Sequence, residues 1–313
     1  MPENPSPRLS VVVVVYDMAR EAPRTLYSLS TAFQRGVTAE DYEVLVVENG
    51  SPEPLDAARV EALDGQFRYF FLDDAPPSPA HAVNFGVARA RGRDVGVLID
   101  GARIASPGML QSALAALGAF PRPVVGTLAF HLGPDFQTRS VAQGYDSRQE
   151  DALLERIDWR HDGYRLFEIS AFAGSSEDGW FLPLAESNAV FLPKRLYAEL
   201  GGFEETFATP GGGLVNLDFY RRACELPGSE LVTLLGEATF HQVHGGAMTN
   251  RPPEEAARLW ELLVEEYRRI RGVSFRRPER RALFFGEVTP GVVPWLLKSC
   301  QLHLERNADE RNP

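Results

Sequence analysis

Apolar residues gather in uninterrupted runs along the first hundred positions, and three of these runs stop at an acidic residue. They are Leu9-Ser-Val-Val-Val-Val-Val-Tyr16-Asp17, Tyr42-Glu-Val-Leu-Val-Val-Glu48-Asn49-Gly50-Ser51 and Asp94-Val-Gly-Val-Leu-Ile-Asp100-Gly101-Ala102. Val, Ile and Leu without polar alternation mark strands buried on both faces, the habit of parallel sheets covered by helices. Ligands of such sheets bind beyond the carboxyl ends of the strands, so Asp17, Glu48 and Asp100 are expected at one crevice.

Helical stretches alternate with these runs. The pattern predicts helices over Pro23 to Phe33, Pro52 to Leu63 with Ser51 as N-cap, Pro79 to Arg91, and from Ser106-Pro107 to Phe120, with a further strand over Phe67 to Leu72. A strand–helix alternation of this kind predicts a doubly wound α/β fold for the first 130 residues. From His131 to Leu184 the periodicity fades, which predicts an insertion over the sheet edge, residues 131–186. Order returns with a strand at Asn188 to Pro193, a short helix ended by Gly201-Gly202, a helix carrying Asn216 and Asp218, and a strand over Leu231 to Phe240. Pro253 to Arg271 reads as a long amphipathic helix. The expected organisation is a flexible N-terminus (1–8), an α/β domain (9–250) and a helical, Arg-rich C-terminal extension (251–313).

Charge and composition narrow the function. The 313 residues carry a net charge of −11, which disfavours general attraction to nucleic acid. Cys224 and Cys300 are the only cysteines, there is no apolar signal core near Met1, and no apolar run is long enough to span a membrane. The expectation is a cytoplasmic protein. Seven arginines between Arg268 and Arg281 form a basic cluster, read either as a solvated face paired with nearby acids or as a peripheral contact with anionic lipid or an acidic acceptor.

Asp100 carries the strongest chemical signal: a carboxylate ending a buried strand, followed by Gly101 and a small residue, leaves room for a diphosphate and its metal. With the run from Asn84-Phe-Gly86-Val-Ala88-Arg89 through Gly92 to Asp100, with Val-Val-Glu48-Asn-Gly-Ser51, and with Phe191-Leu-Pro-Lys-Arg-Leu-Tyr-Ala-Glu-Leu-Gly-Gly-Phe203, the chain resembles the family 2 glycosyltransferases of the GT-A fold over roughly residues 8–247. That resemblance implies a Rossmann-like, mixed but mostly parallel sheet with helices on both faces. It also implies a nucleotide-sugar donor and a divalent cation, Mn²⁺ or Mg²⁺. Tyr16, Asp17, Glu48, Asn49 and Asn84 would line the nucleotide pocket, and Asp100 would take the place of the first Asp of the Asp-X-Asp motif.

Two departures matter. Ala102 stands where the family has its second metal-binding carboxylate, and Val215-Asn216 aligns with the Glu-Asp pair whose Asp is the general base. His241 and His244 are therefore candidate metal ligands or phosphate donors. Asp218 is the expected base, with Glu186 as second candidate; Trp180 and Asn188 are candidate acceptor contacts, an aromatic face and an amide for a sugar ring. The expected activity is transfer of a sugar from a nucleotide-diphospho-sugar, a UDP-sugar by preference, to an acceptor hydroxyl with inversion. A non-catalytic sugar-nucleotide-binding scaffold is the alternative, favoured by Ala102 and Asn216. The turn after the first strand, Tyr16 to Arg20, has no glycine, which argues against a nucleotidyltransferase and against nicotinamide chemistry.

Overall fold

The valine run forms β1 (Leu9–Val15), and all seven of its side chains are buried. Alternate residues enter different cores, Val12 and Val14 on one face of the sheet and Val11, Val13 and Val15 on the other. Each valine buried in this way stabilises the fold by roughly 1.5–3 kcal/mol. This computed structural model describes residues 6–246 and 253–309, so the expectation of a flexible N-terminus falls, for residues 1–5, outside the described residues.

After β1 come α1 (Ala22–Ser28), β2 (Tyr42–Glu48), α2 (Ala57–Glu61), β3 (Phe67–Phe71), α3 (Ala80–Arg89), β4 (Asp94–Leu98), β5 (Arg103–Ala105), α4 (Met109–Ala119) and β6 (Pro123–Leu132). The 131–186 region holds α5 (Gln137–Ala142), α6 (Ser147–Ile157) and β7 (Ser170–Phe172). Then follow β8 (Ala189–Pro193), α7 (Lys194–Glu199), α8 (Val215–Cys224), β9 (Glu230–His241), α9 (Pro253–Arg271), β10 (Leu283–Phe285) and α10 (Val293–Asp309).

One sheet of ten strands runs in the order β10-β9-β6-β8-β4-β1-β2-β3, with β5 added to β9 and β7 to β6. Within that order only β8 runs antiparallel to its neighbours, β4 and β6. The α/β fold with a mostly parallel sheet is thus as expected. α3 lies so close to β1 that a Cβ on Gly86 would come 2.5 Å from Val12 Cγ1. In β9, Gly236 at φ +75° permits a bulge across which the register with β6 shifts, from Gly126 opposite Thr233 to Leu128 opposite Ala238. The end of β9 then pairs with β5 and carries His241 to the sheet's carboxyl edge.

Several local expectations are corrected. α2 begins at Ala57, capped by Asp56, which accepts from the N–H groups of Ala58 and Arg59. Ser51 instead donates to Glu48 and accepts from the Asp17 N–H. α1 stops at Ser28, where the Ser28 and Ser30 hydroxyls bond back to Thr25 and Tyr27 carbonyls and compete with helix propagation. β6, a long strand in mid-sheet, was not anticipated. In the 131–186 region, Trp159, Phe167, Phe172 and Trp180 belong to the same core as Val12 and Val190. The C-terminal extension contributes β10 to the sheet, and Trp295 Nε1 donates to the Phe167 carbonyl at 3.0 Å.

Within the basic cluster, Arg268 pairs with Glu265, Arg277 with Glu177, and Arg271 with Asp218 and Glu204, while Arg280 donates to the Cys224 carbonyl and Ser229. Four of the seven arginines therefore have partners within the chain, Arg271 and Arg280 in part-buried contacts and Arg268 and Arg277 at the surface. Among the described residues no helix is long and apolar enough to cross a membrane.

Candidate functional site

The adjacent ends of β1, β2 and β4 form one wall. Tyr16, half exposed, follows β1, and Asp17 takes a left-handed backbone (φ +52°) while its N–H donates to Ser51 Oγ at 2.7 Å. Glu48 is buried at the end of β2 and accepts from Ser51, from Leu55 N–H at 3.1 Å and from Tyr69 at 3.4 Å. Burial raises its carboxyl above the usual range, the hydrogen bonds oppose this, and the charge of Asp17 adds to it. Asn49 extends the ladder with its N–H on the Val15 carbonyl, and its buried Oδ1 has no partner among the described residues. These four residues stand together as expected.

Asn84 does not join them. Its amide donates to the Phe203 carbonyl and Glu205, and its Oδ1 accepts from Tyr197 and from the Phe203 N–H. All its hydrogen bonds go to holding the Gly201-Gly202 turn against α3, so none is left for a nucleotide.

Asp100 closes the wall. Oδ1 accepts from the Ala102 N–H at 3.0 Å and Oδ2 from Arg103 Nε at 2.6 Å. Because β5 pairs antiparallel with β9, Arg103 stands directly opposite His241. His241 Nδ1 lies 2.7 Å from Gln137 Oε1, which places its proton on Nδ1 and turns the Nε2 lone pair toward His244 Nε2, 3.0 Å away. One ligand atom from each of Asp100, His241 and His244 lies within 4.8 Å of the others. Burial lowers both imidazoles below their ordinary value, with Arg103 adding to the effect, so both are neutral and free to act as ligands at pH 7. Two neutral imidazoles and a carboxylate suit Mn²⁺ or a similar ion, so the donor set fits the cation the sequence implies. Ala102 is fully buried among apolar residues and supplies no carboxylate to the cluster.

Glu186 lies within electrostatic reach of Asp100 and Arg103. Its Oε2 accepts from Asn216 Nδ2 at 2.7 Å, and Asn216 also donates to the Ser187 carbonyl and, at 3.5 Å, to Asn188 Oδ1. Burial raises the Glu186 carboxyl; Arg103 and the Asn216 hydrogen bond oppose the rise, and Asp100 adds to it. The second candidate base therefore shares the field of the Asp100 cluster, and Asn188 lies beside it.

Asp218, the first candidate base, does not. It is fully buried and accepts from Arg222 Nε at 2.8 Å and from Arg271 Nε and Nη2 at 2.7 and 2.6 Å, joining α8 to α9. A fully buried carboxylate whose oxygens are taken by two guanidinium groups has no access to an acceptor hydroxyl. Trp180 is also corrected as an acceptor platform: its ring is buried in the core and its Nε1 donates to the Leu234 carbonyl at 2.8 Å.

Sequence patterns missed three groups. Arg103 and Gln137 touch the cluster directly, and a latch binds α6 to the crevice rim. In the latch, Arg20 donates to Glu150 at 2.6 Å and to the Val243 carbonyl at 3.0 Å, Glu150 accepts from the Val243 N–H at 2.7 Å, and Arg24 donates to Asp151 at 2.6 Å. Burial lifts Glu150 to about 7, against the Val243 hydrogen bond and the charges of Arg20 and Arg24. The charged run Asp146 to Asp158 was a visible signal for the latch; Gln137 left none.

Residues 10–174 match the family model described as Glycosyl transferase family 2. Validoxylamine A glucosyltransferase of Streptomyces hygroscopicus subsp. jinggangensis (strain 5008) is 30% identical over 233 residues, covering 71% of this chain and 53% of that protein. The protein of the same name from subsp. limoneus is 29% identical, covering 71% and 49%. The chain thus spans about half the length of these curated relatives. Among solved structures, S. aureus TarS 1–349 in complex with UDP-GlcNAc aligns with TM-score 0.53 at 14% identity, covering 83% of this chain and 66% of that one. Mannosyltransferase PcManGT from Pyrobaculum calidifontis, in complex with GDP-Man and Mn²⁺, gives 0.51 at 18% identity, covering 96% and 70%. At these identities the two structures speak for the fold, the mixed α/β arrangement of GT-A glycosyltransferases.

Proposed function

Because the chain belongs to glycosyl transferase family 2, we propose that it transfers a glycosyl group from a nucleotide-diphospho-sugar to an acceptor hydroxyl. The observation that carries this reading is the convergence of Asp100, His241 and His244 at the strand ends, with Glu186 in the same electrostatic field. The donor is a UDP-hexose, and the relatives' name supports a glucosyl group. Residues 9–250 hold the donor site, and the acceptor enters from the side of residues 131–186.

The reaction is a single displacement with inversion. Glu186 takes the acceptor proton, the acceptor oxygen forms a bond to the anomeric carbon, and the bond to the donor phosphate oxygen breaks with its electron pair passing to the departing diphosphate. Asn216 is a positioning residue: its 2.7 Å hydrogen bond fixes the Glu186 carboxylate. Asn188 beside it orients the acceptor. Tyr16, Asp17, Glu48 and Asn49 bind the base and ribose. Asp100, His241 and His244 would hold the divalent cation, which when bound supplies positive charge to the diphosphate oxygens.

Calorimetric titration with UDP, GDP and their hexose conjugates, in Mn²⁺ and in EDTA, tests the reading. Micromolar binding of one nucleotide series that weakens in Asp100→Ala is the expected result. No binding of any nucleotide under either condition would sink it, and tight donor binding without turnover in an acceptor screen would favour a binding scaffold.

A further inference from the structure

Arg103 is a cation buried in the middle of the site, yet it is barely used. Its side chain is only 12% exposed, and among the described residues only Nε of its five N–H donors is engaged, by Asp100 Oδ2 at 2.6 Å. Among the described residues the Nη1 and Nη2 groups make no hydrogen bond. The guanidinium is held in place at both ends. Its backbone is fixed by the pairing of β5 with β9 opposite His241, and its head by Asp100. Its positive charge also extends to Glu186, where it opposes the effect of burial on the carboxyl.

Charge balance in the crevice makes this position informative. Asp100 and Glu186 present two carboxylates to a ligand that is itself an anion. A diphosphate placed beside them without a cation would be repelled, and at the position before Arg103 the buried Ala102 provides no further carboxylate to retain one. A planar guanidinium with an unspent Nη fork matches two phosphate oxygens in a bidentate pair, which a solvated ammonium does not.

We propose that Arg103 is the resident cation of the donor site, its Nη fork binding the diphosphate of the sugar nucleotide, so that binding of a nucleoside diphosphate survives removal of divalent ions. The proposal rests on the donor-site reading above and adds to it the residue that grips the leaving group. Asp100 then has a second duty as a positioning residue, aiming the guanidinium through Nε. As the glycosidic bond to phosphate breaks, the Nη groups donate to the oxygen that receives the electron pair.

The test is equilibrium binding of UDP, UMP and uridine in EDTA and in Mn²⁺, with the guanosine series in parallel, to the full chain and to Arg103→Ala and Arg103→Lys. Wild-type protein is expected to bind UDP in EDTA. Arg103→Ala should lose on the order of 10- to 100-fold for UDP and less than about 2-fold for uridine, the loss of charge-assisted hydrogen bonds to phosphate alone. Arg103→Lys, which keeps charge but not the fork, should fall between, and the salt dependence of UDP binding should flatten in Arg103→Ala. Matching melting curves show that the variants are folded. UDP binding that is equal in wild type and Arg103→Ala, or that vanishes from wild type in EDTA while persisting in Mn²⁺, overturns the role of Arg103 and leaves the donor site standing. Failure of the wild type to bind any nucleotide in either condition overturns both.

Discussion

Replacing Glu186 by Gln removes a proton acceptor while leaving almost everything else in place. The glutamine carbonyl can still accept the Asn216 Nδ2–H that Glu186 accepts at 2.7 Å, so the loop into β8 keeps its anchor. A positioned general base contributes about 10²- to 10⁴-fold to rate, or roughly 3–5 kcal/mol of barrier, and kcat should fall by that factor. Donor affinity should stay within about 2-fold, because the lost interaction is made only as the acceptor reacts.

The pH profile gives an independent readout. Burial raises the Glu186 carboxyl above the ordinary 4.5, so the wild-type rate is lost as pH falls through that raised value, and the residual rate of Glu186→Gln should be level across the same interval. Adding Asn216→Asp to Glu186→Gln reverses the hydrogen bond, with the new amide donating to the new carboxylate, and should restore about 10-fold of the lost rate. The assay is nucleotide release, with acceptor or, more slowly, with water as acceptor. A Glu186→Gln enzyme that keeps more than about a third of wild-type kcat with an unchanged acid limb would refute the assignment.

Asp218→Asn leaves Arg222 and Arg271 facing a neutral amide inside the α8–α9 contact. Stability in urea should drop by about 3 kcal/mol while the folded fraction keeps its donor affinity; loss of donor binding at full stability would return Asp218 to the active site. Glu237 is buried, accepts from Tyr164 at 2.6 Å and from Ser106, and is lifted by burial from 4.5 to about 7. Its folded form prefers the proton, so the associated stability is complete below pH 4.5 and lost as pH rises through 7; the melting temperature of Glu237→Gln should gain on wild type between pH 5 and 8, and parallel curves would contradict the shift. Gln137→Ala frees His241 Nδ1 and should weaken Mn²⁺ binding by about 10- to 100-fold in a spectroscopic titration, an effect absent if His241 and His244 do not hold the ion.

What the sequence made legible follows from the range of the interactions involved. β1, β2 and β4 were readable because strands buried on both faces admit little but aliphatic residues, and α9 because its apolar stripe is local. β6 escaped notice because Gly126, Thr127 and His131 interrupt its apolar run, although Gly126 is where the neighbouring bulge begins. Asp218 was favoured as base for its nearness to Asn216 in sequence. Two residues apart on an α-helix is about 200° of rotation, so when Asn216 turns to Glu186 the carboxylate of Asp218 must turn to α9. Arg103 was invisible for a related reason: its neighbours arrive through a strand pairing that joins residue 103 to residue 241.

The latch of Arg20 and Arg24 with Glu150 and Asp151 limits how this protein can be diversified. Residues 131–186 vary in character from the rest of the chain and invite exchange as a cassette to alter what is glycosylated. Yet α6 shares its ion pairs with the turn after β1 and its Glu150 with the backbone of Val243, one residue from His244. A chimera that imports a foreign segment without acids to match Arg20 and Arg24 would leave two cations stranded at the rim and loosen the histidine-bearing strand end, so recombination has to proceed through co-inherited sets of residues 20–24, 146–158 and 242–244.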